Sequence, residues 1–248
     1  MAAYQKRRYR VHCGRRGLTA FTVRVKETDL WILAQRDLSR QALESVLNHR
    51  RSLETYLSQR PGFLESLTPL PPDPLAPPLV RAMLQAGQTA GTGPMAAVAG
   101  AMAQAVGEEL RELSPQVVVE NGGDLFLAAD RELTVGLWAG DSPLSGRLGI
   151  RVAGERMPTC LACSSGTVGH SLSLGRADAA VVAARDGALA DAAATALGNR
   201  VSRRDHLAPA LEWVSSLPGV EGALVVLGDR LGAWGEMTLV ELEQGDRA

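Results

Sequence analysis

Asp191 and Thr195 stand four residues apart in a run of alanine and leucine, so a helix places both on one face. A carboxylate above a hydroxyl is a donor pair for a hard cation such as Mg²⁺, whose other ligands can be carbonyl, water and phosphate oxygens. The same aspartate also suits the first turn of its own helix, where the dipole favours negative charge. Spacing alone favours that structural role. His170 is the one histidine in a Gly/Ser-rich loop, Ser164-Ser165-Gly166-Thr167-Val168-Gly169-His170-Ser171. Such a loop can offer backbone N–H groups to phosphate, and its histidine can move protons near neutral pH; an exposed loop histidine without chemistry fits equally well. Cys160 and Cys163 form a single CxxC just before that loop. One pair is a weak zinc signal, and its apparent place on a strand, away from a helix start, favours buried, inert thiols.

A second candidate is Asn121-Gly122-Gly123-Asp124. Its two glycines permit positive φ and close approach of a ligand to the backbone, with polar side chains on either side. By itself the sequence also reads as an ordinary hairpin turn. What gives it weight is the stretch it closes. No charged residue occurs between Ala82 and Gly107. Gly91-Thr92-Gly93-Pro94 leads into a thin Ala/Gly-rich helix, which ends near Arg111 to Pro115, and Val117 to Val119 then predict a buried strand running into the Gly-Gly turn. Pro94, three glutamines and several glycines interrupt the apolar run, so it is not expected to span a membrane.

The elements that must carry these groups follow from periodicity. Phe21, Val23 and Val25 alternate with polar residues as in a half-buried strand, and Leu30 to Ala34 return beside it. Asp37 or Ser39 can cap the next helix, with Leu43, Val46, Leu47, Leu53 and Leu57 expected on its buried face. Six prolines between Thr68 and Pro78 suggest a linker between lobes, or a long surface loop in one domain. Leu79 to Ala90 reads as a helix. Later strands are expected at 125–128, 133–138, 148–152, 158–163 and 179–184. Helices follow at 189–197 and 206–217, then a hairpin over 220–234 and a last strand over 237–242.

Composition narrows the function classes. The 248 residues are 46% hydrophobic, enough for a sizeable core. A net charge of −1 gives no general bias toward nucleic acid or anionic membrane, and 4% aromatics argues against base-stacking surfaces. Three cysteines, an odd and low number, fit a reducing cytosol. The basic N-terminal residues lack the apolar stretch of a secretory signal. There is no Gly-x-Gly-x-x-Gly, Walker or Gly-x-Ser-x-Gly motif.

The order of the pieces carries more information than any one of them. Pro94-Met95-Ala96-Ala97-Val98-Ala99-Gly100, Glu120-Asn121-Gly122-Gly123-Asp124, the Ser-Ser-Gly loop with His170, and Ala190-Asp191-Ala192-x-x-Thr195-Ala196 follow one another in fixed order. This resembles the ApbE superfamily, the FAD:protein FMN transferases, and most closely a shorter cytoplasmic branch of it. The resemblance covers nearly all of 21–242. It implies an α+β, ApbE-like fold, mostly antiparallel sheet flanked by helices, in a single domain or two lobes meeting near 68–78. It also implies Mg²⁺ on Asp191 and Thr195, and a flavin nucleotide, FAD or FMN, beside Asn121, Gly122, Gly123 and Asp124. Ser164, Ser165, Gly166 and Thr167 fall on the loop near the flavin, and His170 near the pyrophosphate, in a catalytic position. The partners so implied are a nucleotide-like small molecule and an acceptor protein, with a homodimer compatible, and neither nucleic acid nor a membrane span. In transferases of this kind an acceptor threonine attacks the FMN phosphorus and AMP leaves.

This sequence departs from the transferase pattern on the central helix. The Lys-Gly-x-x-x-Asp of the family reads Ala99-Gly100 and Gln104 here, and the loop before His170 is shorter. Only Arg147, Arg151 and Arg176 are local candidates to replace the missing lysine. Binding of a phosphate-bearing ligand survives these changes better than FMN transfer does. Two other roles stay open: a small-molecule binding protein that lost the reaction, and a sulfur-handling protein using Cys160 and Cys163.

Overall fold

The structure, a computed structural model, describes residues 17–166 and 175–242; Cys13, Thr167 and His170 fall outside them. Two strands open the chain, β1 (Thr19–Val25) and β2 (Thr28–Ala34), followed by helix α1 (Ser39–Ser58) and the short α2 (Gly62–Glu65). Residues 66–77 form an irregular segment, held where Asp73 accepts hydrogen bonds from Tyr56 and Arg60 and where Gln88 donates to the Leu70 carbonyl. Helix α3 (Pro78–Ala90) has proline at its first position and ends at Gly91 in the left-handed conformation, φ 74°. A 3-10 turn, Pro94–Ala97, then feeds α4 (Val98–Arg111).

Strands β3 (Val117–Asn121) and β4 (Asp124–Ala128) form a hairpin. Its turn residues Gly122 and Gly123 have φ of 72° and 112°, which any side chain would oppose. After β5 (Leu133–Gly136) and β6 (Leu148–Val152) come β7 (Thr159–Ser164), β8 (Ala179–Ala184) and α5 (Gly187–Asn199). Helix α6 (Leu207–Ser215), β9 (Val220–Leu227), β10 (Arg230–Gly235) and β11 (Thr238–Glu241) complete the order. The expected strands and helices are therefore present, with ends shifted by a few residues.

Among the described residues eight strands form one sheet in the order β1-β2-β3-β4-β7-β8-β9-β10, antiparallel at every pairing. The α+β expectation holds. Alternation assigns the two faces. Leu30, Ile32, Val117, Val119, Phe126 and Ala162 pack with the helices, while Trp31, Leu33, Val118, Leu127 and Leu161 pack against Leu137, Ile150 and Val152. That second face is covered by a three-stranded sheet, β11-β6-β5. Cover on both faces leaves β2, β3 and β8 buried along their whole length, β8 apolar throughout and β2 and β3 polar only where they meet a turn, at Thr28-Asp29 and Glu120-Asn121.

Two local expectations need correction. Leu43 and Leu47 are exposed at 40% and 42%, and the buried face of α1 is formed by Ala42, Ser45, Val46, Leu53 and Tyr56. The face turned inward is centred on smaller residues and a tyrosine, so counting leucines rotated the helix. Asp37 accepts a hydrogen bond from the Ser39 N–H, but neither Asp37 nor Ser39 is the residue at the N-cap, which is Leu38.

Candidate functional site

Three separate parts of the chain meet at one end of the large sheet, on its helix side. Asn121 ends β3 and pairs with Asp124 at the start of β4. Both are buried, at 8% and 6% exposure. Asn121 donates its Nδ2 to the Ala99 carbonyl at 3.0 Å, which ties the Gly-Gly hairpin to the first turn of α4. The hairpin is also braced from within, since Gly123 N–H donates to Glu120 Oε1 at 2.9 Å. Across to β7, Cys163 N–H donates to Asp124 Oδ1 at 3.3 Å.

Helix α4 has no side-chain cap of its own at Ala97. Its orphan N–H groups are taken instead by Asp191 of α5. Asp191 Oδ2 accepts from Ala99 N–H at 3.1 Å and Gly100 N–H at 2.9 Å, the second and third helical residues, as an N-cap side chain would. The debt is mutual. Gln104 Oε1 of α4 accepts from Gly187 N–H, the first amide of α5, at 2.6 Å, while its Nε2 donates to Glu108 at 2.7 Å. Each helix therefore caps the other. The first-turn explanation of Asp191 does not hold: α5 begins at Gly187 with Asp186 as its own cap, and no acidic residue occupies its first turn.

The close crossing depends on glycine. A Cβ on Gly100 would run into the Gly187 carbonyl oxygen and lie 2.8 Å from Asp191 Cβ, and one on Gly187 would lie 2.6 Å from the Gly100 oxygen. The small residues of the central helix thus serve helix-to-helix contact, as well as contact with the sheet at Gly107, where Phe126 fills the space of a side chain.

Asp191 is half-buried. Burial pushes its carboxyl up to about 7, with the two α4 N–H groups pulling the other way. The folded protein therefore holds this negative charge with too little compensation. Two amides occupy Oδ2, and Oδ1 lies outside those bonds. Thr195 follows one turn later on α5 and is half-buried. Gly198 lies beyond it, where an added Cβ would sit 3.8 Å from Ser164 Oγ. Thr195 is thus carried between the Asn121–Ala99–Asp191 network and the end of β7. Hard oxygen donors and an undercompensated carboxylate fit Mg²⁺. Among the described residues no three His, Cys, Asp or Glu side chains cluster for a metal, so such an ion would draw its remaining ligands from carbonyls, water and ligand phosphate.

Ser164, Ser165 and Gly166 leave β7 at this end, and Gly166 N–H donates to the Ala177 carbonyl at 2.8 Å. The structure thus brings together Asn121, Gly122, Gly123, Asp124, Ser164, Ser165, Gly166, Asp191 and Thr195. Thr167 and His170 lie outside the described residues. Sequence reasoning missed the part played by Gln104; its polar side chain in an uncharged helix was the available signal.

The thiols are placed differently. Three residues apart on a strand, Cys160 and Cys163 point to opposite faces, Cys160 among the helix-side core and Cys163 toward the smaller sheet. Burial raises both thiols, Cys163 to about 12. They cannot bind one ion or form a disulfide with each other from this strand. A cavity of about 240 Å³ lies elsewhere, between the two sheets, where Arg156 pairs with Glu221 and Glu236. None of the motif residues lines it.

The layered fold, an antiparallel sheet flanked by helices, is of the α+β class. The family model described as AbpE bacteria matches residues 10–216, and the chain belongs to that family. A UPF0280 protein of Methanosarcina acetivorans is 42% identical over 198 residues, 79% of this chain and 78% of the relative. One from Methanocaldococcus jannaschii is 38% identical over 219 residues, covering 86% and 89%. Among solved structures, the flavin transferase ApbE from Vibrio cholerae superposes with a TM-score of 0.54 at 12% identity, covering 88% of this chain and 96% of that one. The ApbE protein of Thermotoga maritima gives 0.54 at 13% identity, with coverage of 87% and 96%. At those identities the likeness is one of fold.

Proposed function

We propose that this protein binds a flavin, or another phosphate-bearing nucleotide, together with Mg²⁺ in the angle between the β3–β4 hairpin, the start of α4 and the middle of α5. The observation that carries this reading is the hydrogen-bonded chain from Asn121 through the Ala99 carbonyl and amide to Asp191. It joins three motifs that are otherwise remote in sequence. Asp191 and Thr195 would hold the ion, which when bound would neutralise phosphate charge. The Gly122-Gly123 turn would let a ligand approach the backbone, and Ser164 to Gly166 would flank it.

FMN transfer is a weak or absent activity in this reading. Gln104 is committed to capping α5, and Ala99 offers no charge. A lysine aimed at developing phosphate charge is worth roughly 3 kcal/mol in the transition state. The flavin transferase named among the structural neighbours is similar in fold, and its title supplies the substrate class to test first. The sulfur-handling alternative draws no support from thiols held on opposite faces of β7.

The test is thermal stabilisation by FAD with and without Mg²⁺, alongside in-gel flavin fluorescence after incubation with a candidate acceptor. The wild type is expected to gain stability with FAD and Mg²⁺ together and to give little covalent flavin. Asp191→Ala with Thr195→Ala should lose the Mg²⁺-dependent part of the shift. An unchanged shift in that variant would sink the metal assignment, and strong labelling by the wild type would restore a plain transferase.

A further inference from the structure

The candidate site is poor in positive charge. Asp124 and Asp191 bring carboxylates to it. Helix α5 also ends nearby at Gly198 and Asn199, presenting the carbonyl-bearing, partly negative end of its dipole. A phosphate placed among these groups needs a cation besides the metal, and the central helix has alanine at 99.

The fold separates the three arginines that could serve. Arg151 lies on β6 in the small sheet, 3.6 Å from Glu132. Arg147 stands in the turn entering that same strand. Arg176 is carried to the site end. Its N–H donates to the Val201 carbonyl at 2.8 Å, just beyond α5, and the next residue, Ala177, accepts from Gly166 N–H at 2.8 Å. Three glycines interleave around it. A Cβ on Gly166 would lie 2.6 Å from the Gly175 oxygen and 3.3 Å from Arg176 Cα. One on Gly175 would strike the Gly198 oxygen and lie 3.0 Å from Asn199 Cα. The backbone of Arg176 is therefore wedged between the Ser-Ser-Gly segment and the end of α5, one helical turn past Thr195.

Among the described residues, the other cations at this end are occupied. Arg200 stacks over Trp213, 3.3 Å from the ring centre, and donates to the Ala196 carbonyl. Arg203 and Arg204 pair with Asp205 and Asp229. Arg24, on the β1 side, is engaged within the protein. Arg176 is exposed.

We propose that Arg176 is the anion-binding residue of this site, clamping the phosphate or pyrophosphate of the ligand and supplying the charge that Ala99 does not. The inference deepens the nucleotide-binding reading and rests on its phosphate-bearing ligand, not on the flavin ring. A guanidinium suits the task because it binds phosphate oxygens through two parallel N–H donors, and a backbone already fixed loses little freedom on binding.

Calorimetric titration of the full chain with inorganic pyrophosphate, FAD and riboflavin, all with Mg²⁺, tests this. Arg176→Gln keeps much of the length without the charge, and Arg176→Lys keeps the charge without the fork. The expected result is a loss of tenfold or more in pyrophosphate and FAD affinity for Arg176→Gln, a smaller loss for Arg176→Lys, and unchanged binding of riboflavin, which has no phosphate. Circular dichroism melts establish that the variants fold; if Arg176→Gln does not, Arg176→Lys against wild type carries the comparison. Equal pyrophosphate affinity in the wild type and the variant that folds overturns the inference, as does a wild type that binds no pyrophosphate. Pyrophosphate binding that depends on Arg176, without any FAD binding, sustains the anion site and removes the flavin reading instead.

Discussion

Gly100 and Gly187 face each other across α4 and α5 so closely that neither has room for a β-carbon beside the other's carbonyl oxygen. Replacing either by alanine sets two effects against each other. Alanine favours an isolated helix by up to about 1 kcal/mol over glycine, whereas forcing volume into a packed contact costs about 1–3 kcal/mol. The obstructing atoms are backbone, which cannot rotate away, so the second effect wins. Gly100→Ala should unfold at lower urea concentration than wild type. A variant as stable as wild type, or more so, would show that the helices do not approach this closely.

The Asp191 carboxyl makes a pH prediction of definite sign. Its folded pKa is raised to about 7 from a reference of 3.8, so between these values the unfolded chain gives up this proton before the folded one does. The folded state then binds more protons, and stability falls as pH rises from about 4 to 7. Below that window both states are protonated and the effect vanishes; above it the penalty is constant. Asp191→Asn should flatten this part of the curve, by an amount on the order of 1–3 kcal/mol between pH 4 and pH 7. Urea titrations of both proteins across that range measure it. Parallel curves for the two would refute the assignment.

Restoring the transferase pattern at 99 and 104 is not a symmetrical change. The sequence suggests Ala99→Lys with Gln104→Asp as the pair that raises flavin transfer. Ala99 is half-buried, and only its backbone groups are committed, to Asn121 and Asp191. Gln104 is bound through its side chain to Gly187 and Glu108. An aspartate there is too short to keep both and places a second carboxylate beside Glu108. Ala99→Lys alone should therefore raise in-gel flavin labelling, while adding Gln104→Asp should lower stability by about 1 kcal/mol. Labelling that rises only with the double change would show that position 104 takes part directly.

Cys160 is buried and Cys163 half-buried, and both thiols are raised well above their ordinary range, which predicts slow chemistry. In the native protein, alkylation followed by peptide mapping should leave both unmodified until denaturant is added. Rapid native labelling of either would revive a sulfur-handling role.

The legible parts of this molecule are the local ones. Val117 to Val119 and the Asn121–Asp124 turn announce a strand and a tight reversal because β-branched burial and positive φ are properties of a few adjacent residues. The grouping of Asp191 with Thr195 is likewise a matter of helical spacing. The mutual capping is not legible, since Gln104 and Gly187 are 83 residues apart and Asp191 and Ala99 are 92 apart; no periodicity links them. The small sheet shows the same limit. Its strands at Leu133, Leu148 and Thr238 were expected, but an apolar run reports that a face is covered, not which layer covers it. Leu43 and Leu47 mislead for the reverse reason: their type suggests burial, and the packing of Ala42 and Tyr56 decides otherwise.

Helix ends are ordinarily the parts of a helix that open first, with amides exchanging freely with solvent while the middle stays protected. The exchanged caps of α4 and α5 reverse that order. The amides of Ala99 and Gly100 are held by a side chain from α5, and that of Gly187 by a side chain from α4. None of the three can open without parting the two helices. These first-turn amides are therefore expected among the slowly exchanging ones, and the candidate site sits on helix ends that hold one another closed.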